Sequence, residues 1–106
     1  MVLWSRLASE GVGLFFIDTD TGQVATQSQL IDAGLATEVS PPARPWHRIQ
    51  GPGDASTMWY AVMRKRTRGV FIGTLCIRHG GHHASLLQDG WEEVSPEAIR
   101  EGAPRR

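Results

Sequence analysis

Residues 58–77 read Met58-Trp-Tyr-Ala-Val-Met-Arg-Lys-Arg-Thr-Arg-Gly-Val-Phe-Ile-Gly-Thr-Leu-Cys-Ile77. Two apolar runs rich in aromatic and β-branched residues flank a short basic stretch, the pattern of a β-hairpin. Gly69 suits the left-handed position that closes a three- or four-residue hairpin loop. A two- or four-residue loop would place Tyr60 and Val62 on one face with Phe71, Leu75 and Ile77. A three-residue loop would place Trp59, Ala61 and Met63 there instead. Both faces are apolar near the base, so hydrophobic alternation does not choose between them. Either register predicts a base buried on two sides and a tip, Arg64 to Arg68, standing in water.

Upstream, Gly13 to Ile17 is a continuous apolar run that reads as a central strand. Asp18 to Gly22 turns the chain, and Gln23 to Thr26 returns as a shorter strand. Asp18 and Asp20 do not fit a calcium loop, which needs further oxygen ligands and a bidentate acid at its twelfth position, here Gln29. Thr26 or Ser28 is placed to cap a helix through Gln29 to Ala33, with Gly34 as its stop and Leu30, Ile31 and Leu35 facing the sheet. Three prolines between Pro41 and Pro45 exclude helix there. Trp46 to Ile49 reads as a short edge strand, and Gly51 to Ser56 as a loop.

At the N-terminus, Leu3, Trp4, Leu7 and Ala8 recur at helical spacing, predicting a short amphipathic helix over Val2–Glu10. Downstream, His79 to His83 reads as a flexible loop, Ala84 to Leu87 as a strand, Asp89-Gly90 as a turn and Trp91 to Val94 as another strand. Ser95-Pro96-Glu97 is a helix start, with Ser as N-cap and Pro at the first helical position. The tail frays from about residue 102. The expected architecture is α+β: one small domain over residues 1–106, with a mostly antiparallel sheet of about five strands around the basic hairpin and two or three short helices.

At 106 residues, with 41% hydrophobic and 21% charged side chains, the chain has an ordinary globular composition. It contains no apolar run of spanning length and no signal-peptide pattern, so a cytoplasmic, non-membrane protein is expected. The lone Cys76 excludes an internal disulfide and a multi-cysteine zinc site, and its apolar setting predicts a buried, inert thiol. Zero net charge conceals a segregation. Residues 1–40 sum to −4, residues 41–78 to +6 and residues 79–106 to −2, so the middle of the chain is the electropositive part.

Three features could carry function. Arg64, Lys65, Arg66 and Arg68 repel one another unless an anion or an internal acid neutralises them, and arginine forks suit carboxylate and phosphate. Trp46, following a proline-rich loop, is expected at the surface beside them as a docking aromatic. The first expectation is therefore a non-enzymatic binding, inhibitory or regulatory module that docks an anionic macromolecule. Overall neutrality favours a protein or nucleoprotein over bare nucleic acid. Second, His79, His82 and His83 could serve a small metal-dependent or acid–base enzyme, with His47 as a further candidate. Recognised spacing with cysteine or acid is missing, so neither a cofactor nor a metal is expected in the leading reading. Third, edge strands or a tryptophan-rich surface could pair two copies in a homodimer. Nucleophile elbows, phosphate loops and dinucleotide fingerprints are absent from the sequence. Glu92 and Glu93 are neighbours on a strand, so they point to opposite faces and do not form a catalytic pair.

Overall fold

In the computed structural model, which describes residues 14–51 and 56–101, the apolar runs form two sheets rather than one. The first contains β1 (Phe15–Asp18), β2 (Val24–Thr26) and β3 (Trp46–Arg48) in the order β2-β1-β3. The second contains β4 (Tyr60–Thr67), β5 (Val70–Ile77) and β6 (Glu92–Val94) in the order β5-β4-β6. Every pairing is antiparallel. Three helices complete the fold: α1 (Gln27–Asp32), α2 (Gly81–Gln88) and α3 (Pro96–Glu101).

The single five-stranded sheet is therefore replaced by two three-stranded sheets, and the reason is that β1 and β4 are apolar on both faces. Phe15 and Ile17 point towards the second sheet, where they share a core with Val24, Ile49, Val62, Val94 and Ile99. Phe16 points the other way and packs with Ala25, Leu30, Ala36 and Trp46 beneath α1. On the second sheet Val62 belongs to the shared core, whereas Ala61, Met63 and Cys76 face Leu86 of α2. Each sheet thus covers one apolar face with the other sheet and the second with a helix. A single wider sheet would leave one of those faces in water.

The β1–β2 turn forms as its residues predict. The Asp18 carboxylate accepts the N–H groups of Asp20 and Thr21, at 2.8 and 3.2 Å. Gly22 adopts φ +78°, and a Cβ there would lie 2.8 Å from the Phe71 ring, so glycine is required both for the turn and for its contact with β5. Thr26 caps α1 in a capping box with Gln29, and Ser95 caps α3 by accepting the Ala98 N–H. In α1 Leu30 is fully buried, while Leu35 beyond it remains 39% exposed rather than facing the sheet.

Three local readings change, the first being the His79–His83 loop, which ends at Gly80, with Gly81, His82 and His83 opening α2. Ala84 to Leu87 is not a strand: it lies inside α2, where His83 and Leu86 are buried three residues apart, the helical rather than the alternating period. The hairpin closes with two residues, Arg68 and Gly69, at φ +54° and +84°. Positive φ at both central positions is the tight turn whose twist matches the flanking strands. It selects the register that places Tyr60 and Val62 on one face with Phe71, Leu75 and Ile77. The expected helix over Val2–Glu10 and the fraying tail from 102 lie outside the described residues.

Candidate partner-binding surface

With the two-residue turn, the ladder runs to Thr67↔Val70, so Arg64, Lys65 and Arg66 are strand residues and only Arg68 sits in the turn. Alternation then sends neighbouring cations to different environments. Arg64 points towards the first sheet, with its Nε 2.6 Å from the Glu92 carboxylate and a guanidinium N–H donated to the Gly22 carbonyl. Lys65 points to the opposite face, donating to the Asp89 carbonyl at 2.8 Å with that residue's carboxylate 3.7 Å away. Arg64 and Lys65 therefore do not stand free in water. β6 and the turn before it place acids of the C-terminal segment against β4, so charges separated in sequence are neighbours in space.

Arg66 and Arg68 are exposed, and neither has a carboxylate partner among the described residues. The Arg66 guanidinium carbon lies 5.8 Å from the centroid of the Phe71 ring, with Arg64 at 5.7 Å, so the ring lies within reach of both cations.

Trp46 is not at the surface. It is 9% exposed and packs on Phe16, Ala25 and Leu30, because β3 pairs Trp46 with Asp18 and turns its indole under the loop that follows α1. Trp59 takes the opposite place: it precedes β4 and is 68% exposed, beside exposed Met58.

Of the candidate histidines, His79 and His83 come together, with ring centroids 5.9 Å apart. His83 is 6% exposed, and its Nδ1 accepts the His79 backbone N–H at 2.9 Å, which leaves the ring proton on Nε2. Nε2 lies 3.2 Å from a Glu93 oxygen, off the line of a hydrogen bond. The other Glu93 oxygen is 2.6 Å from Arg78, whose guanidinium also donates to the carbonyls of Thr57 and Tyr60. His79 and His82 are exposed. Among the described residues no group of three His, Cys, Asp or Glu side chains is arranged to hold a metal ion. This cluster ties α2 to the sheet. Cys76 lies on the same face, 5% exposed; burial pushes its thiol pKa up, Glu93 adds to the rise, and Arg78 partly offsets it.

One feature had no signal in the sequence. A cleft of about 360 Å³ opens between β3 and β5 at the side of the two-sheet stack. Ile17, Phe71 and Gly73 form its apolar walls, Val70 and Ile72 its lip, and Thr19, His47 and Arg48 its polar side. It exists because two strands distant in the chain, each at the edge of its own sheet, meet there. No helix among the described residues is long and apolar enough to cross a membrane. No family model, curated protein or solved structure matches this chain.

Proposed function

We propose that the protein is a non-enzymatic binding or regulatory module that docks an acidic protein surface through the end of its β4–β5 hairpin. The observation carrying this reading is selective pairing. Arg64, Lys65 and Arg78 of the basic middle segment each meet an acid of the C-terminal segment, whereas Arg66 and Arg68 meet none among the described residues. Repulsion between two unpaired cations next to a tight turn is compensated when a partner supplies carboxylates. Arg48 also lines the neighbouring cleft, its guanidinium donating to the Gly51 carbonyl at 3.4 Å. A protein partner is favoured over a nucleic acid because two free hairpin cations are few for a phosphate backbone. On duplex DNA they would give a salt slope of only about −1.8.

The test is charge reversal at the two free positions. Arg66→Glu with Arg68→Glu should lower affinity for an acidic partner by at least about tenfold, while leaving stability within about 0.5 kcal/mol. Arg64→Glu should instead destabilise the fold, because it sets a carboxylate against Glu92 and removes the bond to Gly22. Unchanged acidic-partner binding by the Arg66/Arg68 double variant would refute the reading.

A further inference from the structure

We infer that the docked segment is an extended acidic stretch of a partner protein, added as a fourth strand to the outer edge of β5. This rests on the reading above and names the form of its ligand. In the order β5-β4-β6, β5 is an edge strand of eight residues, Val-Phe-Ile-Gly-Thr-Leu-Cys-Ile, with neither a charge nor a proline. Proteins usually protect such an edge with charges, bulges or proline. Here the strand cations lie on β4, the middle strand, where they guard nothing.

The register shows which backbone groups the edge offers. Thr67↔Val70 closes the two-residue turn, and the Arg78 N–H donates to the Trp59 carbonyl at the far end. Alternation between those ends directs the N–H and C=O of Phe71, Gly73, Leu75 and Ile77 away from β4. The Phe71 N–H donates to the Thr19 carbonyl, and the Ile77 carbonyl accepts the Gly80 N–H. The outward groups of Gly73 and Leu75 have no hydrogen-bond partner among the described residues. Beside Gly73 lies the open cleft. A strand added about 4.8 Å from β5 would send alternate side chains into the cleft, on the face shared by Phe71 and Arg66, and lay the others beside Val70 and Ile72. Val70 and Ile72, 43% and 41% exposed, would be covered from the lip.

Charge decides the occupant. Arg48 lines the cleft and Arg66 and Arg68 stand at the hairpin end. Of the neighbouring acids, Asp18 has its carboxylate committed to two turn N–H groups, Glu92 is held by Arg64, and Asp20 is exposed. A second copy pairing β5 with β5 would bring no carboxylate, since β5 has none, and a nucleic acid would not complete a peptide ladder. An acidic strand supplies both.

The experiment titrates the full chain, ¹⁵N-labelled, with the octapeptide Glu-Val-Glu-Val-Glu-Val-Glu-Val. A peptide with Lys in place of Glu and a short DNA duplex serve as separate probes. The expected result is binding of the Glu peptide alone, with amide exchange at Gly73 and Leu75 slowed at least about tenfold. Ile72 and Thr74, which already bond to β4, should change little. Binding that requires Arg66 and Arg68 but leaves Gly73 and Leu75 exchanging freely would overturn the added strand and leave electrostatic docking standing. Failure of the Glu peptide to bind at about 1 mM would overturn both readings, whether or not the duplex binds. Concentration-dependent protection of Gly73 and Leu75 without any peptide would assign the edge to a second copy and overturn this inference.

Discussion

Replacing Glu93 by Gln removes one charge from the point where α2 is tied to the second sheet. The carboxylate holds Arg78 at 2.6 Å through one oxygen and lies 3.2 Å from His83 Nε2 through the other. Two unit charges about 4 Å apart at an effective dielectric near 20 attract by about 4 kcal/mol, and the desolvation of both groups opposes that gain. The two side chains keep 21% and 24% of their exposure, and Arg78 retains its bonds to Thr57 and Tyr60, so the loss falls below that of a fully buried broken pair. Glutamine adds a geometric conflict. Its carbonyl can face Arg78 or His83 but not both, so its amide N–H must meet another donor. His83 cannot switch tautomer to relieve this without setting Nδ1–H against the His79 N–H. A loss of about 2–3 kcal/mol follows, or a melting point lower by roughly 10–20 °C. Urea unfolding and calorimetry of Glu93→Gln measure it directly. The internal control is Glu92→Gln on the same strand: Glu92 is 61% exposed, and its loss should cost under about 1 kcal/mol. Equal costs for the two variants would refute the assignment of Glu93 as the clasp.

The two tryptophans flanking the hairpin should separate cleanly in a stability assay. Trp46→Ala opens a hole beneath α1 and should cost about 3–5 kcal/mol, whereas Trp59→Ala should stay within about 0.5 kcal/mol. Gln27 is 1% exposed, with both amide atoms lacking a partner among the described residues, so Gln27→Leu should raise stability by about 1–2 kcal/mol in urea unfolding. Cys76 keeps its proton to higher pH when folded than when unfolded, so it contributes a loss of stability as pH rises from the ordinary thiol range towards its raised folded value. The urea midpoint should therefore fall less steeply with pH in Cys76→Ala than in the natural chain over that range.

Local chemistry was readable from the chain alone where neighbours in sequence decide the outcome. The Asp18–Gly22 turn, the capping of α1 by one of two candidates, Thr26 rather than Ser28, the Ser95-Pro96 start of α3 and the hairpin all depend on contacts a few residues apart. The opposite facing of Glu92 and Glu93 followed from strand period, and their separate partners, Arg64 and Arg78, agree with it. Reading Ala84–Leu87 as a strand failed because a four-residue apolar run is too short to distinguish a period of 2 from 3.6, and packing of His83 and Leu86 on the sheet decided it.

The sequence by itself determined an α+β chain with a hairpin whose two strands are apolar on both faces and whose middle is basic. Tertiary structure decided everything that depends on which distant segments meet. Two-sided burial led to two sheets rather than one, since each extra apolar face needs a cover. Pairing of β6 with β4 brought acids to Arg64 and Lys65 and so moved the free charge to Arg66 and Arg68. Pairing of β3 with β1 buried Trp46 and opened a cleft against β5. Exposure and ion pairing are set by long-range neighbours, and no window of sequence contains both partners.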